Sequence, residues 1–193
     1  TISVVADNMA LNAGRFSGPT LIVLSPSLNR QPAHIPASRQ LAESVIYPLA
    51  GHLLAEAVSA QDATGINPGW YLVLRGVQSW LAQEVNPISP IPPPDLPIPQ
   101  AALDLYVETN GLPTLDALRV SRDPDFTWAA GWSSQAAHSL VVYAMTTYGP
   151  DKVDDLVAGL TQHESWETLI PALFGVTAGE FEAGWHAYLR AQW

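Results

Sequence analysis

The sequence predicts an α+β fold in which helix predominates. Two β-rich runs are confined to the first forty residues, Ile2 to Ala6 and Thr20 to Leu24, the second bounded by Gly18-Pro19 and Ser25-Pro26. From Ser38 onward apolar residues recur at helical spacing, and the breaks in that pattern fall at Gly and Pro. The expectation is a small N-terminal sheet followed by a series of helices.

The first helix runs from Ser38, a suitable N-cap, to about Ala60, with Leu41, Val45, Leu49 and Leu53 four apart on one face. Pro48 lies inside it. An interior proline removes a backbone donor and crowds the preceding turn at a cost of about 3 kcal/mol, which predicts a kink near residues 44 to 48 or a late helix start. A second helix begins at Pro68, passes through Trp70, Leu74, Val77 and Leu81 to about Val85, and stops at Asn86-Pro87. Seven prolines then fall within residues 87–99, a segment that can neither continue a helix nor pair in a sheet. A stiff surface spacer and a docking segment or flap over a groove both fit it.

Beyond that segment helices are expected over Gln100 to Asn110, ended by Gly111; over Thr114 to Val120; over Trp132 to Tyr148, ended by Gly149; over Pro150 to Leu160; and over Ser165 to Phe174, ended by Gly175. The last helix, Thr177 to Gln192, opens on Thr177-Ala178-Gly179-Glu180, a capping box in which Thr and Glu satisfy each other's backbone donors. Its face of Phe181, Trp185, Tyr188 and Leu189 reads as a core stripe.

Composition narrows the functional classes. The 193 residues include 18 Asp or Glu and only 8 Lys or Arg, for a net charge of -10. Phosphate binding needs clustered cations, but Lys152 is the single lysine and the arginines are scattered, which argues against nucleic acid. No apolar run is long enough for a membrane-spanning helix. With no Cys, any metal would be held by His and carboxylates. A 48% hydrophobic content with seven Trp supplies one sizeable core, so a single domain is expected. The opening residues Thr1 to Val5 carry neither a basic leader nor an initiator Met, so the chain reads as a portion of a longer protein.

No Gly-x-Ser-x-Gly elbow, phosphate loop or dinucleotide fingerprint is present. Of the five His, His138 stands beside Ser139, but neighbours in sequence point apart on a helix and no Asp at helical spacing orients the imidazole. His163 reads as a loop residue and His186 as a helix-surface residue. His52 differs in its setting. It precedes Leu53-Leu54-Ala55-Glu56-Ala57 on the first long helix, and Trp80-Leu81-Ala82-Gln83-Glu84 follows on the next.

Ser38 to Val58 resembles the active-site helix of gluzincin-type metallopeptidases of the peptidase MA-like group, built on H-E-x-x-H. Gly76 to Val85 resembles their following helix, W-L-x-E-G, which carries the third zinc ligand. The closing part is similar too, with Tyr148-Gly149-Pro150-Asp151-Lys152, Phe174-Gly175-Val176-Thr177 and Glu180-Phe181-Glu182-Ala183-Gly184-Trp185 in the same order. The resemblance implies a zincin-like fold over residues 1–193. In it the small sheet and first long helix (1–60) pack together, and a helical part (61–193, with the Pro-rich loop 87–99) closes the other side of a cleft.

In that family two His four apart bind Zn, the intervening Glu is the general base, and a Glu on the next helix completes the site. Placing His52 at the second His puts Pro48 at the first and Leu49 at the base, and Gln83 falls at the carboxylate ligand. Pro has no ligand atom, Leu accepts no proton, and a neutral amide is a poor Zn ligand. The implied protein is therefore a pseudo-peptidase with no catalytic residue, no metal and no cofactor, whose cleft binds an extended peptide or protein partner. Two alternatives stay open. One is a divergent hydrolase holding Zn through shifted ligands His52, Glu56 and Glu84, although one residue of helix turns a side chain by about 100°. The other is a structural module whose cleft is filled by its own side chains. The resemblance also implies an extracytoplasmic setting, on which composition is silent.

Overall fold

The computed structural model describes residues 2–5, 15–17, 20–24, 37–61, 67–85, 107–109, 111–119 and 129–192, and these are predominantly helical. Three short strands open the chain: β1 (Ile2–Val5), β2 (Arg15–Ser17) and β3 (Thr20–Leu24), in the order β1-β3-β2. β1 runs parallel to the central β3, pairing Ile2 with Leu21, and β2 runs antiparallel to it, pairing Ser17 with Thr20. The sequence pattern does not mark β2. Arg15-Phe16-Ser17 has no β-branched run, and its pairing follows from the short return into β3. Along β3 the side chains alternate, with Leu21 and Val23 buried and Ile22 partly exposed, and the strand lies against the first helix.

That helix, α1, spans Ala37–Gln61 and carries Pro48 in its interior. The late start anticipated from the proline does not occur. Contacts with β3 on one side and with later helices on others supply tertiary support that outweighs one missing backbone bond. The next helix is preceded by a 3-10 turn at Pro68–Trp70, in which Asn67 accepts the Gly69 N–H on its side chain and the Trp70 N–H on its carbonyl, both at 2.9 Å. α2 then runs Tyr71–Val85.

The Pro-rich segment 87–99 lies outside the described residues, as does most of the expected helix over 100–110. Its last turn, 107–109, is helical and ends as anticipated at Gly111, whose φ of 79° is left-handed and whose N–H bonds the Val107 carbonyl at 2.8 Å. In place of an α-helix over Thr114 to Val120 stands a 3-10 turn, Asp116–Arg119, entered by a Leu118 N–H to Leu115 carbonyl bond of 3.0 Å. A segment this short gains too few backbone bonds to propagate an α-helix.

Four helices close the chain: α3 (Ala129–Tyr148), α4 (Lys152–Gln162), α5 (Trp166–Phe174) and α6 (Ala178–Gln192). Gly149 follows α3 at φ 108° and Gly175 follows α5 at φ 70°, so both expected stops are left-handed glycines. The capping box forms as anticipated. Glu180 Oε2 accepts the Thr177 N–H at 2.8 Å, and Thr177 Oγ1 accepts the Glu180 N–H at 3.2 Å.

The core is built from one row of each helix: Trp70, Val73 and Val77 at α2; Leu140, Val141 and Ala144 from α3; Leu156 and Leu160 from α4; Leu169 and Ile170 from α5; and Phe181, Trp185 and Leu189 from α6. Three of its four buried tryptophans donate their ring N–H groups to oxygens within the protein. Trp70 Nε1 donates to the His163 carbonyl at 2.9 Å, Trp166 Nε1 to the Leu115 carbonyl at 2.8 Å, and Trp185 Nε1 to Ser139 Oγ at 3.2 Å. Trp70 and Trp166 meet edge to face, centroids 4.7 Å apart. α2 packs closely on α3 at Gly76, where a Cβ would run into the Ala137 carbonyl.

Candidate functional site

The side chains of α1 are described from Val45 to Val58. The row of leucines that the spacing places together, Leu49 and Leu53, faces outward, 40% and 54% exposed. The buried row is the next one round, Ala50 and Leu54, with Val58 partly buried against the core. Both rows are apolar, and Tyr47 and Gly51 lie where α1 meets α2. There the Gln78 carboxamide lies over Gly51 and its Nε2 donates to the Tyr47 carbonyl at 2.9 Å. A side chain at position 51 would occupy that amide's place.

His52 sits one residue beyond this contact. Its Nε2 lies 3.3 Å from Glu56 Oε1, one turn on, and both side chains reach solvent. An exposed pair of this kind contributes at most about 0.5 kcal/mol. Pro48, one turn before His52, is partly buried and offers no ligand atom.

On α2, Trp80 is buried, Gln83 partly buried and Glu84 exposed. Gln78 is an α2 side chain that bonds α1. Five residues separate it from Gln83, which is about 140° around a helix, and six separate it from Glu84, about 120° the other way. Neither side chain therefore shares the line of α2 that reaches α1. Among the described residues no three His, Cys, Asp or Glu side chains gather as a metal-binding group, so Glu84 does not join His52 and Glu56. The donors at the family's positions, one imidazole and one amide, do not fit a zinc ion. Gln78 is the residue that sequence reasoning misses, and its only signal is the small residue it covers, Gly51.

Of the other histidines, three lie within the described residues. His163 closes α4, its N–H bonding the Gly159 carbonyl at 2.9 Å. His186, expected on the helix surface, is partly buried, and its Nε2 lies 2.8 Å from the Pro113 carbonyl. A carbonyl only accepts, so Nε2 carries the proton. The same stretch is held by Glu182 Oε1, which accepts the Leu115 N–H at 2.7 Å. His138 has its Nδ1 buried without a hydrogen-bond partner, and burial lowers its pKa. Ser139 is engaged elsewhere, donating to the Ala136 carbonyl at 2.8 Å while accepting from Trp185. His34 lies outside the described residues.

Among the aromatic residues, Trp70 and Trp80 are buried in the core, whereas Tyr71 is exposed and accepts a 3.3 Å bond from Arg75 Nη1. Trp128 and the side chain of Trp132 lie outside the described residues. No helix among the described residues is long and apolar enough to cross a membrane. No protein-family model, characterised protein or solved structure matches the chain.

Proposed function

We propose that the chain is a non-catalytic, metallopeptidase-like domain, zincin-like in architecture, that serves as a binding or scaffolding module for an extended peptide or protein partner. The reading rests on the residues of α1 and α2 that resemble the gluzincin pattern. The observation that carries it is Leu49. The position that would hold the general base is a leucine, 40% exposed, a side chain suited to contact and incapable of taking a proton. Pro48 and Gln83 remove the first imidazole and the carboxylate in the same way.

The exposure of Leu49 weighs against the structural alternative, in which Pro48 and Leu49 would pack into a closed cleft. The contact between His52 and Glu56 is the one observation that favours a divergent hydrolase, and it supplies two ligands where a catalytic zinc site uses three. Strand addition at an outer strand of the small sheet needs only backbone hydrogen bonds, so peptide binding is independent of the metal chemistry.

Metal content, zinc response and hydrolysis test the reading together. Protein purified without added metal carries no stoichiometric Zn, its melting temperature is unchanged by Zn or by a chelator, and a mixed peptide library is not cut. Stoichiometric Zn with chelator-sensitive hydrolysis would overturn it in favour of the shifted-ligand enzyme. Binding itself is read by NMR, where extended peptides from the library shift the backbone amides of β1 or β2; if no peptide does so, the peptide-binding part fails.

A further inference from the structure

We draw no further inference here: the strongest candidate, the exposed apolar stripe of Leu49 and Leu53 on α1, is an unpartnered helix face, and nothing in the structure shows what covers it.

Discussion

The carboxamide of Gln78 occupies the space that a side chain on Gly51 would need, and from there it bonds the Tyr47 carbonyl at 2.9 Å. The contact is with the free end of a flexible side chain. Gly51→Ala therefore displaces the amide at a loss of about 1 kcal/mol, the net worth of one hydrogen bond. It gains about as much from replacing a mid-helix glycine by alanine. At Gly76 the obstacle is the backbone carbonyl of Ala137, which cannot swing aside. Gly76→Ala is expected to cost about 2 kcal/mol by overpacking. Urea unfolding checks the pair: the midpoint drops for Gly76→Ala and stays nearly unchanged for Gly51→Ala.

Neither glycine can be told from the other in the sequence, since both stand mid-helix in an apolar run. What makes them different is the partner across the helix interface, which no local pattern encodes. The helix ends are legible for the opposite reason: Gly149, Gly175 and the Thr177 to Glu180 box act on their own backbone within one turn. Which apolar row of α1 is buried is not legible, because Leu49 and Leu53 match a helical stripe as well as Ala50 and Leu54 do, and it is the second row that turns inward. At the candidate site, the absence of a metal-ligating atom at Pro48 and of a proton acceptor at Leu49 is legible in residue identity. The direction of Gln83 is not, because the rotation of α2 is fixed by Trp70, Val73, Val77 and Trp80 entering the core.

Residues 111–119 carry little regular structure and are tied down by side chains of α5 and α6: Trp166, Glu182 and His186. Glu182→Ala leaves the buried Leu115 N–H without its acceptor and should cost about 1–3 kcal/mol. Glu182→Gln keeps an oxygen in place and should lose less than half of that. Hydrogen exchange at the Leu115 amide distinguishes the two, with much faster exchange in the alanine variant and near-native protection in the glutamine variant.

Acid sensitivity should come in two separate windows. Burial lowers the pKa of His138 below 6.5, so the unfolded chain takes up a proton more readily than the folded one. The stability this neutral imidazole supports is complete above pH 6.5 and is lost as pH falls through that value toward the folded-state pKa. The Glu180 carboxyl is held below its usual range first by the Thr177 backbone N–H and then by the Thr177 hydroxyl. Its contribution is present above pH 4.5 and disappears as pH falls further. Thermal unfolding across pH 2 to 8 should show that His138→Leu flattens the upper window and Glu180→Ala the lower. An NMR titration placing His138 at or above 6.5 would contradict the first assignment.

Rebuilding the missing groups tests how far the resemblance extends from sequence to geometry. Pro48→His with Leu49→Glu places two imidazoles four apart on α1, enough for weak zinc binding on any helix. The double variant should also be more stable without metal, because removing an interior proline restores a backbone bond worth up to about 3 kcal/mol. Zinc affinity must therefore be read by calorimetry, or as the shift in melting temperature between zinc-loaded and chelator-treated samples of the same variant. Adding Gln83→Glu should not tighten binding, since position 83 lies about 140° around α2 from the Gln78 side chain that reaches α1. A tenfold gain in affinity on that third substitution would mean that position 83 does face the imidazoles. What separates this chain from the gluzincin pattern at those positions would then be side-chain identity alone, on a scaffold with the geometry of a zinc site.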